Sequence, residues 1–375
     1  MKYHLATAVW GKEYTDFFVN ITLPNLLTPG NLEALSKTHE PVFRIYTRPE
    51  DKHTITDSAA FKIAAKMLDV KLETIDDKDF AQKYSIISKY HQKAIEAAIK
   101  DGAALVIMGP DTIRAEGYMS NMLRIAESGK KAIMISEIRV AKDTFLPEFL
   151  GQFTEKSALR GVTSRQLVNL AMRHLHPVSK SFLWNAKNFH NAPSYIYFEV
   201  PNEGILARCF HLSPLMINPV CKDATFSTTI DGDYIQNACP KIDDIYVSVD
   251  SDELMSVELS SLSMPPNSGY LPANPLNIAA FAKYSTSSHH RDFLRKKIRF
   301  HRNGLSSKWR EVEQFSDKAI NRIFFWLKFE PFLFWPYGAA LRSKLLLRNT
   351  VKLFLGETLT RKAAGRIKSL RRKTV

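Results

Sequence analysis

Residues 88–111 read SKYHQKAIEAAIKDGAALVIMGPD. Two periodicities meet there. Ile87, Tyr90, His91, Ala94, Ala97 and Ala98 recur at the three- and four-residue spacing of one helix face. After Asp101-Gly102 the pattern becomes a continuous apolar run, ALVIM at 104–108, the texture of a strand buried on both sides. Gly109-Pro110 stops the run and leaves Asp111 at its carboxyl end. A helix leading directly into a buried strand is half of a parallel crossover unit.

The same rhythm extends outward. Residues 3–9, 42–46, 70–75 and 131–135 read as strands. Helical patterns lie over 14–27, over 59–68 behind an Asp57-Ser58 cap, and over 116–127, ending at Gly129. This predicts an α/β fold with a mixed, mostly parallel sheet flanked by helices, Rossmann-related, its first half spanning 1–150. Thr163 and Gln166 have capping-box spacing for a helix over 165–175. From Pro193 short strand-like runs appear at 194–200, 205–212, 234–235 and 245–249, split by Asn-Glu-Gly, Asp-Gly-Asp and Ser-Asp. They predict an antiparallel or mixed extension, so 151–288 reads as the second half of the same domain. Residues 260–277, rich in Ser, Pro and Asn, read as a loop.

In doubly wound sheets, ligands bind at the carboxyl ends of the strands. Trp10, Gly11, Thr47, Arg48 and Asp111 fall there. Asp111 can hold a divalent cation or a ribose hydroxyl, or it can simply cap the turn after Pro110. No G-x-x-x-x-G-K-[ST] loop, no G-x-G-x-x-G after a strand, no H-E-x-x-H and no G-x-S-x-G occurs, which disfavours several nucleotide and hydrolase classes.

The layout of residues 1–140, and more loosely to about 260, resembles the nucleotide-sugar half of GT-A-type glycosyltransferases. In that family a helix precedes a strand ending in an acidic motif, usually Asp-x-Asp, that binds the donor diphosphate through Mn²⁺ or Mg²⁺. The matching position here reads Gly109-Pro110-Asp111, with one of the two acids. The resemblance implies a nucleotide-sugar donor and a divalent metal. It places Trp10, Gly11, Thr47, Ser88, His91 and Asp111 along the base, ribose and diphosphate edges.

Two Asp-x-Asp triplets occur later, Asp231-Gly232-Asp233 and Asp250-Ser251-Asp252. Carboxylates bracketing one small residue suit a hard cation. Asp250 and Asp252, with Asp111, are the metal candidates. Asp231 and Asp233 follow a Thr-Thr-Ile run and read either as a base and ligand pair or as a hairpin turn. His211 follows the 205–212 run and is a candidate general base. Arg208 nearby could neutralise a phosphate or form a surface ion pair. His174 and His176 read equally as core residues.

The chain has 375 residues with a net charge of +14, unevenly spread. Residues 289–375 hold 22 Lys and Arg against 6 Asp and Glu, while the first 288 hold 30 against 32. Clusters of Phe and Trp at 323–329 and 331–337 alternate with this charge, and a cationic leucine-rich stretch follows at 341–355. Such a segment suits an anionic membrane surface, with aromatics at the headgroups and cations on the lipid phosphates. Packing back onto the body and single-stranded nucleic acid are the other readings. Nucleic acid is disfavoured because the aromatics are clustered among leucines. Lys328, Glu330, Pro331, Pro336 and Arg342 interrupt the longest apolar region, so no transmembrane helix is expected. Cys209, Cys221 and Cys239 form no C-x-x-C pair and read as reduced thiols.

These features predict a cytoplasmic protein held peripherally at the inner membrane face. It would transfer a sugar from a nucleotide-sugar donor to a lipid-linked or cell-surface glycan acceptor. Two alternatives stay open. One is nucleotidyl transfer to a sugar phosphate, which needs a basic loop after the first strand, where Gly11-Lys12 stands. The other is a non-catalytic membrane- or nucleic-acid-binding scaffold.

Overall fold

Leu5 and Val106 are fully buried because each lies on a strand with neighbours on both sides. Leu5 of β1 (Lys2–Ala8) faces Phe43 of β2 (His39–Thr47) and Val106 of β4 (Ala103–Ile107). The computed structural model describes residues 1–74, 83–156, 158–218, 226, 229–264 and 271–328. Beyond β2 lies β3 (Asp69–Thr74), and β3, β2, β1 and β4 are all parallel. On the far side of β4 come β12 (Ser213–Ile217), β6 (Ala132–Ile135) and β13 (Ile245–Val247). Only β12 runs antiparallel to its neighbours, and β13 is parallel to β6. The sheet is therefore mixed and largely parallel, as the sequence predicts.

Side chains alternate between two cores, as the pleat requires. Ala104, Val106, Met108, Ile133 and Ile135 enter one core; Leu105, Ala132 and Met134 enter the other. The first is covered by a wide turn at Phe18–Thr22 and α2 (Leu23–Leu26), which continue from α1 (Lys12–Phe17), whose Phe17 enters the second core. The first also takes α3 (Leu32–Ser36), α4 (Lys52–Asp57), α5 (Ala59–Met67) and α7 (Tyr118–Ala126). The opposite face carries α6 (Lys83–Asp101), α8 (Lys142–Phe153), α9 (Ser164–Arg173) and α11 (Ile235–Ala238). Ser58 caps α5, and Thr163 with Gln166 forms a full capping box on α9. Both helix starts were legible in the sequence.

Two small sheets stand beside the main one. β5 (Thr112–Arg114), β14 (Ser256–Ser260) and β7 (Ile138–Ala141) form one; β10 (Tyr195–Val200), β11 (Gly204–Cys209) and β15 (Ile298–His301) form the other. A hairpin of β8 (Thr154–Glu155) and β9 (Ala158–Leu159), the short helix α10 (Pro177–Lys180), α12 (Pro275–Ser285), α13 (Ser288–Leu294) and α14 (Ser307–Lys328) complete the described chain. Tyr234-Ile235, expected as a strand, is helical. A wide helical turn at Ile230–Tyr234, capped by Thr229, runs directly into α11. It also replaces the hairpin turn considered for Asp231-Gly232-Asp233. Strand β12 carried no clear sequence signal because Pro214 removes one ladder donor; the register shifts between Pro214 and Met216.

Residues 289–328, the start of the basic region, are part of the folded body. β15 is the third strand of its sheet, and α14 packs on β10 and α12 through Trp309, Ala319, Ile320 and Ile323. Arg208 of β11 holds α14 in place. It is 1% exposed and donates to Ser316 Oγ at 2.8 Å, to the Arg295 carbonyl at 2.9 Å and to the Asp317 carboxylate. Arg208 is thus a structural ion-pair partner, neither a phosphate ligand nor a surface pair. The clusters at 331–337 and 341–355 lie outside the described residues.

Breaking this pair from one side leaves a buried guanidinium short of a counter-charge. Asp317→Ala is expected to lower unfolding free energy by about 3 kcal/mol, and Arg208→Met by clearly less, in denaturant titrations. A second expectation concerns Gly204, whose φ is +155° and whose missing Cβ would lie 1.9 Å from the Phe300 carbonyl oxygen. Gly204→Ala should separate β11 from β15 and destabilise the fold at least as strongly.

Candidate active site

The order of the strands reverses between β1 and β4, so their carboxyl ends are the switch point where open α/β sheets bind ligands. Trp10 and Gly11 leave β1 on one side of it. Gly11 has φ +79° with open space where a Cβ would be, so its backbone is approachable. Its N–H donates to Asp51 Oδ2 at 2.7 Å, which ties the loop to the end of β2. Thr47 is fully buried beneath this edge, its hydroxyl lacking a partner among the described residues. Lys12 Nζ turns away to Asp16 at 2.7 Å.

Gly109-Pro110-Asp111 leaves β4 on the other side. Thr22 Oγ1 donates to the Pro110 carbonyl at 2.7 Å, Thr112 Oγ1 to the Gly109 carbonyl at 3.0 Å, and Leu259 N–H to the Asp111 carbonyl at 3.0 Å. The loop is fixed from three directions. The Asp111 carboxyl is pushed up to about 7, first by burial and then by Glu258 and Glu137, against the pull of its own backbone hydrogen bond and Arg139. Glu137 stands two residues past the end of β6 and accepts from Ser256 Oγ at 2.7 Å. Burial raises it too, and Arg114 opposes that shift. Arg139 pairs with Glu258 at 2.7 Å. Arg114 is 2% exposed, packs 5.9 Å from the Tyr118 ring, and leaves Nε and Nη1 without partners among the described residues. Three carboxylates and two guanidiniums therefore converge at this loop.

A second group gathers around the helical turn at Ile230–Tyr234. His290 Nε2 donates to the Asp231 carbonyl at 3.0 Å, and His290 Nδ1 accepts from Ser287 N–H, which makes this ring a neutral tautomer. His211 lies 4.3 Å from His290, centroid to centroid. Burial and the neighbouring ring push His211 down to about 4, and its Nδ1 has no partner among the described residues. Burial also holds His91, on α6, at about 4, with Asp231 partly offsetting it. Three separately predicted residues, His91, His211 and Asp231, are thus brought together. Asp233 sits in the same turn, half-buried, and Ser88 is half-buried one turn before His91.

The third group lies at the carboxyl end of β13. Asp250, Asp252 and His301 offer ligand atoms within 4.8 Å of one another. His301 Nε2 approaches Asp250 at 2.8 Å, its Nδ1 donates to the Asn303 carbonyl at 2.6 Å, and Arg165 grips Asp252 at 2.8 Å. With His301 protonated this is a closed ion-pair network. Its Nδ1–carbonyl bond also leaves Nε2 as the atom a cation would take. β13 is three strands from β4, roughly 14 Å. Asp250 and Asp252 therefore cannot share one cation with Asp111. Among the described residues, Asp250, Asp252 and His301 are the one set of three whose ligand atoms converge closely; at Asp111 a cation's charge would relieve the repulsion from Glu258 and Glu137.

Glu137, Glu258, Arg114, Arg139, His290 and His301 were not singled out in the sequence. Glu137 alone carried a signal there, since it stands two residues past a predicted strand, as Asp111 does past its own. The others arrive from distant segments. His174 pairs with Glu148 at 2.6 Å and His176 is fully buried, its Nε2 at 3.0 Å from the Ser261 carbonyl; both are structural.

No sequence family matches the chain, and no curated protein does. Solved structures match weakly. Mouse xyloside xylosyltransferase 1 in its apo form is 14% identical over 40% of this chain, with a TM-score of 0.25. A Bacillus anthracis protein assigned as a glucose-1-phosphate thymidylyltransferase, in complex with sucrose, gives 10%, 38% and 0.23. Mannose-1-phosphate geranyltransferase from Thermus thermophilus gives 15%, 38% and 0.22. The chain spans 58%, 57% and 42% of those proteins' lengths. All three are named as transferases, and the likeness is coarse.

A raised carboxyl makes a stability prediction. Folded Asp111 keeps its proton to about pH 7, whereas an unfolded aspartate loses it near 3.8. The folded state binds the extra proton between these values, so stability falls as pH rises through that window. Asp111→Asn should flatten the slope and raise stability above pH 7 by at least on the order of 1 kcal/mol, measured by denaturation at pH 5 and 8.

Proposed function

We propose that the protein transfers a glycosyl group from a nucleotide-sugar donor to a hydroxyl of a membrane-held glycan or lipid-linked acceptor. The observation that carries this is Asp111, fixed at the switch point opposite the open Gly11 backbone and backed by Glu137 and Glu258. Nucleotide base and ribose would lie over Trp10 and Gly11, toward α6 with Ser88 and His91, and the diphosphate toward Asp111. Asp111 with Glu137 would hold a divalent cation there, and such a cation would supply charge neutralisation for the diphosphate.

His211 is the base candidate nearest the acceptor side. It precedes β12, whose first residue pairs with Ile135 at the end of β6, so it belongs to the same edge. Its Nδ1 is buried without a partner among the described residues, which leaves that nitrogen available to accept a proton. Asp231 fixes His290 behind it, and the half-buried Asp233 lies in the same turn. Nucleotidyl transfer is supported less well, because Lys12, the one cation of the β1 loop, is turned to Asp16.

Thermal melting with UDP-, GDP-, CMP- and dTDP-sugars, with and without Mn²⁺, tests the donor. One donor should raise the melting temperature, and Asp111→Asn should abolish the Mn²⁺-dependent part. With the matching donor, Glu137→Gln and His211→Gln should each lower turnover about 100-fold or more. If no sugar nucleotide shifts the melt, the transferase reading fails.

A further inference from the structure

We propose that the outer face of α14 is a docking surface for an anionic lipid bilayer. The helix is two-sided. Trp309, Ser316, Ala319, Ile320 and Ile323 are buried against β10, β11 and α12, so folding uses that side. The opposite side shows Phe315, Lys318, Arg322 and Phe325, spaced three, four and three residues apart along one stripe. Phe315 and Phe325 are each 52% exposed; Phe315 sets its inner edge against Phe198 at 5.9 Å and Phe325 meets Trp326 at 5.4 Å, and about half of each ring still faces outward. They stand roughly 15 Å apart along the helix. Trp184 meets Phe315 edge-on at 6.4 Å, which adds an indole to the same surface.

The charges say what covers this face. The inner acids of α14 are already neutralised: Glu313 by Arg299 and Lys297, Asp317 by Arg208 and Lys297. Lys308, at the start of the helix, pairs with Glu203. Lys318, Arg322 and Lys328 make no ion pair with a described residue. Glu199 and Glu311 rim the hollow beside Trp184 and Phe315, so the cationic half of the stripe lies toward Lys328. The chain continues from Lys328 into residues 329–375, which carry 11 Lys and Arg against 2 Asp and Glu. Exposed aromatics flanked by free cations match an interface where rings enter the headgroup layer and cations meet phosphates. Single-stranded nucleic acid fits less well, because the rings are separated on a convex helix and offer no continuous stacking platform.

The proposal deepens the reading of a membrane-held acceptor. Its test uses no sugar nucleotide, so it can fail or succeed independently of transfer. The full-length chain carries Phe325→Cys on a Cys221→Ser background, labelled with a polarity-sensitive fluorophore. Cys209 and Cys239 are buried and remain. With phosphatidylcholine–phosphatidylglycerol vesicles the emission should shift to the blue and intensify severalfold. Pure phosphatidylcholine should have little effect, and the same label at Lys62→Cys, on exposed α5, should not respond. Lys318→Gln with Arg322→Gln should lower the vesicle partition coefficient about 30-fold. A label at 325 that stays in water while the protein sediments with vesicles assigns binding to residues 329–375 alone and overturns the proposal. Absence of sedimentation also overturns it, as does binding to single-stranded DNA without binding to vesicles.

Discussion

Between Met108 and Thr112 the chain passes from the main sheet into the small one, and its backbone must find partners outside both ladders. Everything at the candidate site depends on how that is done. Met108 still donates to Ala6 across the main sheet. Four residues later, from Thr112, the chain pairs with β14, as the edge strand of the small sheet. The buried Asn25 side chain closes the open edge, donating to the Arg114 carbonyl at 2.9 Å and accepting from the Arg114 N–H at 2.8 Å. Asn31 does similar work one step on, donating to the Ala115 carbonyl at 3.2 Å. The helices after β1 therefore act as the missing strand, and they hold Asp111 at the switch point.

That rigid crossing gathers like charges. Asp111, Glu137 and Glu258 come from three strands, and two arginines only partly balance them. Such crowding is unfavourable for an unliganded core, and it is the usual electrostatic condition of a site that takes up a proton or a cation. The histidine group beside it has the opposite character. Burial keeps His91 neutral, and burial with the His290 ring keeps His211 neutral, so they offer lone pairs and not charge. One edge of one sheet thus holds a charged compartment and a neutral one. The Asp250–His301 network is separate, and its tight ion pairing also ties β13 to β15.

The basic C-terminal region divides in the same physical way. Up to Lys328 it is part of the body, because Arg208 needs Asp317 and Ser316 for its buried guanidinium. The charge that remains on α14 after this pairing lies on one side only. A region that looks uniform in composition is therefore two things, a structural helix and a free cationic face.

The parallel core was legible in the sequence, because apolar runs such as 104–108 have one comfortable place, inside a sheet covered on both sides. Helix starts at Ser58 and Thr163 were legible because a cap is a local bond. Asp111 was legible as a strand end. The partners that give it character were not, since Glu258 lies 147 residues away along the chain and only the small sheet brings them together. The meeting of His91, His211 and Asp231 was equally invisible, because no spacing encodes a contact made by packing. Alternation and capping are short-range and are written in the sequence. The electrostatics of the site, and the pairing that decides which cations of α14 are free, arise from residues that meet only in the tertiary structure.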